Sequence, residues 1–198
     1  MLLRKDIYFM RGKSHIAMGV TSGIIVADTM HWLIKSTPPD WLFTATMAVK
    51  NFLIPSDGLP IYFFLPIAII LYLLGCVLPD IDHQYSMIGK IIHIPVAHRT
   101  WTHALWWPIL CWVIGIWYRP VFWLGLGIFV HDFWDFFSAS GIHWFYPIKQ
   151  KGKHVLKLYH TSKMSEFVVV GVSVGITIIY TLVMIQCVYQ ILNIQVSF

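Results

Sequence analysis

Charged side chains are scarce in this sequence of 198 residues: Asp, Glu, Lys and Arg make up 12% of it, against 58% hydrophobic residues. Soluble domains carry about a quarter charged residues, so the shortage excludes an ordinary soluble fold and points to an integral membrane protein. Glutamate is represented by Glu166 alone, and its place between a basic segment and an apolar run argues against a general base there. Cys76, Cys111 and Cys187 stand singly in apolar surroundings without CxxC spacing. That excludes a disulfide framework and a thiolate zinc site and leaves three reduced core residues. Internal repeats, low-complexity tracts, a nucleophile elbow and a Ser-His-Asp order are all missing. The formal charge of +5 and a pI near 9.1 would suggest nucleic acid in a soluble protein. Here the basic residues sit in short loops between apolar runs, where they set membrane orientation, and no nucleic-acid partner is expected.

What the chain has is apolar runs. A basic arm, 1–13, carries Arg4, Lys5, Arg11 and Lys13, and no small-residue cleavage site follows the first run, which predicts an uncleaved anchor. Five spans are predicted: 16–34, interrupted by Asp28 and His31; 59–78, which is free of charge and ended by Pro79; a shorter one at 104–118; 121–137 after the Arg119-Pro120 turn; and 167–192. Between the first two, WLFTATMAVKNFLI reads as an interfacial helix flanked by Pro38, Pro39, Pro55 and Asp57. The expected fold is an all-α, polytopic helix bundle in the cytoplasmic (inner) membrane. It forms one domain over 1–198, with a motif core at 15–147, a basic loop at 149–163 and a last span at 167–192. With the N-terminus in the cytoplasm, inner segments hold eleven of the fourteen Lys and Arg and outer segments only Lys35, Lys50 and Arg119. That is a positive-inside bias.

The same topology gathers polar residues. The interval LPDIDHQYSMIGKIIHIPVAHRTWTH, 78–103, holds Asp80, Asp82, His83, His93, His98 and His103 between two apolar runs. His15 opens the first span, and His131 and Asp135 close the fourth. All fall at the cytoplasmic ends of helices, where crowded carboxylates and imidazoles are costly unless a cation holds them. His131 and Asp135 are four apart, so on a helix they lie about 40° apart and reach one ion, while Asp132 should point elsewhere. Asp80 and Asp82 should alternate in an extended or turn segment after Pro79 and put two carboxylates on one side. His98 should lie in the loop and His103 in the first turn of the next helix. The ligand set expected is His15, Asp80, Asp82, His83, His98, His103, His131 and Asp135, with His83 equally readable as a partner of a ligand carboxylate. Mixed His and Asp donors suit zinc first and manganese second, with one to three ions. His93, His143, His154 and His160 read as ordinary interfacial histidines. Trp101, Trp106, Trp134 and Trp144 could wall a lipid-facing cleft.

LPDIDH, HRTWTH, HDFWD and GIHWFYP, with His15 ahead of a Gly-containing helix, resemble the LexA-regulated, membrane-bound metal-dependent hydrolases of the YdjM-like family over 15–147. The ligand order is also similar to that of the zinc-dependent phospholipase C and nuclease group, whose trinuclear sites cut phosphodiesters. Thr100 stands where the resemblance implies Gly. The family implies metal-dependent hydrolysis and names no substrate. The location of the site suggests a phosphoester or ester of a membrane lipid or lipid-linked compound. In that chemistry a cation lowers the pKa of water to about 7, Arg99 stabilises the oxyanion, and Asp82 or Asp132 takes the proton. The competing reading is a membrane metal-binding or transport protein without hydrolase activity. Transport would need polar residues continuing across the bilayer, and the 59–78, 121–137 and 167–192 runs lack them beyond their inner ends.

The topology is testable by single-cysteine labelling from each side of the membrane. Position 90 should label from the cytoplasm and position 50 from outside. Labelling of both from the same side would end the five-span arrangement.

Overall fold

The computed structural model describes residues 2–35, 39–53, 61–148, 155–160 and 163–196. Pro38, Pro55, Asp57, Lys149, Lys151, Lys153, His154 and Phe198 lie outside them. Six α-helices and no strands occur among the described residues: α1 Leu2–Lys35, α2 Asp40–Leu53, α3 Ile61–Gly75, α4 Trp106–Gly115, α5 Arg119–Phe137 and α6 Met164–Val196.

Two of the expected boundaries move. The basic arm is no separate segment, since α1 runs unbroken for 34 residues from Leu2. No proline interrupts it, and a single Gly12 costs a helix too little to stop it. The 104–118 run yields only the ten residues of α4. At 1.5 Å per residue that is about 15 Å, half of a bilayer core. Among the described residues one helix, α6, is long and apolar enough to cross a membrane, over Met164–Val183.

Proline shapes the ends that matter. Pro79 has no N–H and keeps Leu78 out of ordinary helical geometry, so the chain leaving α3 tightens into a 3₁₀ turn, Leu78–Asp82. A second 3₁₀ turn, Trp101–His103, leads into α4. Pro120 sits in the first turn of α5, where its missing donor would be unpaired in any case.

Helix α5 is central and packs on α3 and α4. The crossing with α3 depends on two glycines. A Cβ on Gly127 would lie 2.1 Å from the Tyr72 carbonyl oxygen, and one on Gly75 would lie 2.3 Å from that of Leu124. Backbone meets backbone there, as small residues permit in membrane bundles. Helix α1 closes the third side. The Tyr72 hydroxyl donates to the Gly19 carbonyl at 2.7 Å, and Trp134 Nε1 donates to Ser22 Oγ at 3.1 Å. Helix α6 runs parallel to α1 and is tied to it by Thr21 Oγ1, which donates to the Ser173 carbonyl at 2.9 Å. Met18, Phe64, Ala68, Tyr72, Cys76 and Ile128 fill the shared interior, while Ile69, Ile70, Val113, Ile114 and Ile179 face outward.

Because the Tyr72 carbonyl cannot move aside, Gly127→Ala should destabilise the protein. Overpacking costs about 1–3 kcal/mol, more than the roughly 1 kcal/mol that alanine gains in helix propensity. Gly171, with nothing within 4 Å of an added Cβ, is the control. Thermal unfolding should drop by several degrees for Gly127→Ala and stay level or rise for Gly171→Ala. Equal melting of the two variants would contradict the crossing.

Candidate metal centre

Four chain segments deliver buried polar side chains to one point. Helix α1 brings His15, the turn after α3 brings Asp80, the turn before α4 brings His103, and the end of α5 brings His131, Asp132 and Asp135. Each is at most 4% exposed. His15 stacks on His131 with ring centroids 3.8 Å apart. Its Nε2 lies 3.6 Å from Asp135 Oδ1.

The proton positions follow from the hydrogen bonds around the rings. His131 Nδ1 lies 2.8 Å from the Cys76 carbonyl oxygen, which can only accept, so Nδ1 carries a hydrogen and Nε2 is the atom turned to the centre. Thr102 Oγ1 donates to Asp82 Oδ2 at 2.5 Å, so at 3.0 Å it accepts from His103 Nδ1, and His103 Nε2 presents a lone pair. Burial lowers the His103 pKa below its ordinary value and favours this neutral ring. The two Nε2 atoms stand 3.3 Å apart. Around them lie Asp80 Oδ1, 4.0 Å from His103 and 3.8 Å from His131, and Asp135 Oδ2, 3.5 Å and 3.8 Å from the same atoms. Four candidate ligand atoms face one small volume. Asp80 Oδ2, Asp135 Oδ2 and both Asp132 oxygens have no hydrogen-bond partner among the described residues. A buried set of this kind is unfavourable alone and is resolved by a shared cation.

Three groups offer ligand atoms within 4.8 Å of one another: His15, Asp80 and His131; Asp80, His98 and His103; and His103, His131 and Asp132. Asp80 belongs to two of them and His131 to two, so the groups adjoin.

Several sequence expectations change in detail. Asp80 and Asp82 do not share a side, because the segment is a 3₁₀ turn, in which residues two apart diverge by about 120°. Asp80 enters the centre, while Asp82 stands behind His103. Its oxygens are taken by His98 Nδ1 at 2.6 Å, the Arg99 amide at 3.2 Å and Thr102. Burial would raise the Asp82 pKa, but the His98 and Thr102 hydrogen bonds hold it below the ordinary carboxylate range. Asp82 thus holds His98, Arg99 and Thr102 in place and belongs to none of the three metal-capable groups. Asp132 does not point elsewhere: it is fully buried against His103 and His131, because the centre wraps the end of α5. Arg99 is buried too, and it donates from Nη2 to Asp135 Oδ1 and from Nη1 to Ser138 Oγ, each at 2.7 Å. This guanidinium pairs with Asp135 and is held by Ser138. His98 is half-buried at the edge, and His83 sits farther out, 5.0 Å from the His98 ring and outside all three ligand groups.

Sequence reasoning missed Thr102, Ser138 and the Cys76 carbonyl. Thr102 stands inside HRTWTH, and a hydroxyl one residue before a candidate ligand was a readable signal. The carbonyl left no sequence trace.

The chain matches the profile described as YdjM inner membrane protein over residues 10–195. It belongs to that family. YdjM membership makes the chain a membrane protein and covers α1 through α6, more than the motif core alone. Among curated proteins and among solved structures nothing matches.

The Asp82–Thr102–His103 relay can be tested by removing its hydroxyl with little change of shape. Thr102→Val should lower divalent-metal affinity about 10- to 100-fold, as loss of a partner behind a ligating histidine does. Competition with a chelating dye measures it. Wild-type affinity in Thr102→Val would remove the relay from the account.

Proposed function

We propose that this YdjM family member is a membrane-embedded metal-dependent hydrolase acting on a phosphoester or ester of a lipid or lipid-linked substrate at the cytoplasmic leaflet. The observation that carries the reading is the pair of imidazole Nε2 atoms facing each other at 3.3 Å between Asp80 and Asp135. Zinc is the favoured ion. Bonds of about 2.0–2.1 Å in tetrahedral geometry put ligand atoms about 3.4 Å apart, close to the 3.3–4.0 Å separations of His103, His131, Asp80 and Asp135. Manganese is the second choice, and the adjoining groups leave room for more than one ion.

A divalent cation held there would polarise the scissile group and make water a nucleophile near neutral pH. The chain's own residues would do the rest. Asp132, with both oxygens unpartnered among the described residues, is the carboxylate placed to take a proton. Arg99 fixes Asp135 as a positioning residue, and Asp82 fixes His98 and His103. Three carboxylates, Asp80, Asp132 and Asp135, are set against one guanidinium, an imbalance that a divalent ion offsets.

The surroundings of the Trp101–His103 turn support a lipid-like substrate. On one side a hollow of about 350 Å³ is lined by Asp82, His83, Gln84, Tyr85, His93 and His98. On the other, Trp101, Ala104, Trp106, Trp107, Leu110 and Pro147 form a cleft of about 300 Å³. The indole N–H groups of Trp106 and Trp107 are tied to backbone carbonyls, which leaves apolar faces in the cleft. A polar head and an apolar tail would find matching surfaces on either side of His103. The five-span, N-in arrangement proposed from charge bias puts this turn at the cytoplasmic face.

His131→Ala and Asp135→Ala should each lower hydrolysis at least about 100-fold in a panel that reports phosphate or headgroup release, while the exposed His160→Ala retains it. Metal content of the purified variants should fall in parallel. Full activity with normal metal content in both variants would refute the site. Metal that is bound and lost as expected, with no hydrolysis of any panel member by the wild type, would favour the metal-binding reading.

A further inference from the structure

The three metal-capable groups overlap in a way that limits how many can be filled at once. His131 and His103 each bond the rest of the protein through Nδ1, to the Cys76 carbonyl and to Thr102 Oγ1, which leaves each of them one nitrogen, Nε2, for an ion. An imidazole nitrogen has one lone pair and serves one ion at a time. The group of His103, His131 and Asp132 therefore cannot be filled together with either of the others, because it shares His131 with one and His103 with the other. Those two, His15 with Asp80 and His131, and Asp80 with His98 and His103, have only Asp80 in common. A carboxylate has two oxygens and can serve two ions. Asp80 Oδ1 lies 3.8 Å from His131 Nε2 and 4.0 Å from His103 Nε2, and Oδ2 is buried with no hydrogen-bond partner among the described residues. From this overlap we infer that the centre holds two divalent cations bridged by Asp80, an inner one on His15, His131 and Asp135 and an outer one on His98 and His103. The inference rests on the metal centre of the proposed hydrolase and adds a second ion to it. A single ion among His103, His131, Asp80 and Asp135 would leave His15 and His98 idle, although each completes a group with Asp80.

The two positions differ in kind. The inner one has four protein donors, since Asp135 stands 3.6 Å from His15 Nε2 and 3.8 Å from His131 Nε2, and all four residues are at most 4% exposed. Four protein donors make a closed, structural site. The outer one has three, Asp80, His98 and His103, which leaves one place of a tetrahedron open, as catalytic sites do. His98 is also the one ligand at the edge: its side chain is 27% exposed and lines the 350 Å³ hollow. Its Nδ1 is held by Asp82 at 2.6 Å, so Nε2 is the nitrogen left for the ion, with a carboxylate behind the histidine as metal sites commonly have. The outer ion is thus the exchangeable one, and the one that a phosphate oxygen entering through the hollow would meet.

Manganese makes the test independent of turnover. The metal-free full chain in detergent is titrated with Mn²⁺ and followed by electron paramagnetic resonance. The first equivalent should give the signal of an isolated ion, and the second should replace it with that of an exchange-coupled pair, since ions sharing a carboxylate lie close together. Elemental analysis should find two ions per chain in wild type and in His160→Ala. His98→Ala should hold one and keep the isolated-ion signal at saturation, and Asp80→Asn should lose the coupled signal. The wild-type titration decides the count whether or not a variant folds. Saturation of the wild type at one ion would overturn the second site, as would a coupled pair in His98→Ala. The hydrolase reading fails separately: turnover by a one-ion wild type keeps the hydrolase and removes the second site, whereas a coupled pair without hydrolysis of any panel member keeps the site and removes the hydrolase.

Discussion

The Nε2 atoms of His131 and His103 stand 3.3 Å apart in a buried volume that carboxylate oxygens of Asp80 and Asp135 also enter. The Cys76 carbonyl fixes the ring of His131 from behind, and the Thr102 hydroxyl fixes that of His103. Much of the fold serves to bring these partners within reach. The Cys76 carbonyl reaches His131 only because α3 and α5 touch backbone to backbone at Gly75 and Gly127. Gly19 does the same for α1, since a Cβ there would lie 2.6 Å from Cys76 Sγ. A Cβ at any of the three positions would separate the helices by more than the reach of a hydrogen bond allows.

The loop between α3 and α4 is held with comparable economy. Arg99 adopts φ 64°, a left-handed conformation uncommon outside glycine. From it the amide reaches Asp82, the guanidinium reaches Asp135 and Ser138, and the carbonyl accepts the His143 amide at 3.3 Å. Contacts on every side compensate the conformational cost. The family resemblance implies Gly at position 100, yet it is position 99 that turns left-handed, and Thr100 has an ordinary negative φ. The side chain at 100 is therefore tolerated, and the residue bearing the unusual backbone is the one whose guanidinium is needed.

The all-α class, the His and Asp motifs and their convergence from four segments were legible because charge is expensive beside apolar runs, so its few occurrences carry meaning. His131 with Asp135 followed from helical spacing alone. The roles of Asp82 and Asp132 were not legible. Telling a ligand from the group behind it depends on whether the backbone after Pro79 is extended or 3₁₀, and motif spacing does not encode that choice. Asp132 reads from sequence as a proton acceptor and not a ligand, by a one-face argument that fails when a site encloses a helix end. Helix lengths were also misread, since hydropathy runs on through the 3₁₀ turns and the Ile116–Tyr118 turn that end α3 and α4.

The short α4 has its own physical consequence. A helix of about 15 Å is half the thickness of a bilayer core, and irregular backbone beside apolar surroundings is tolerated only where its polar groups are paired. Several polar groups between Asp80 and Leu105 are paired in this way. Ser86 Oγ donates to the Asp80 carbonyl and accepts from the Gly89 amide, Ile94 N–H bonds to the Ile81 carbonyl, and Leu105 N–H bonds to the Trp144 carbonyl. GIHWFYP, spanning Gly141 to Pro147, thereby acts as a floor for the His103 turn and contributes no ligand of its own to the three metal-capable groups. An open-ended centre built on half-length helices needs such a floor, whereas a centre in the middle of full-length spans would be closed by the helices themselves. The tie between Arg99 and His143 and the one between Leu105 and Trp144 therefore hold the His103 turn, and with it the buried cluster, against this floor.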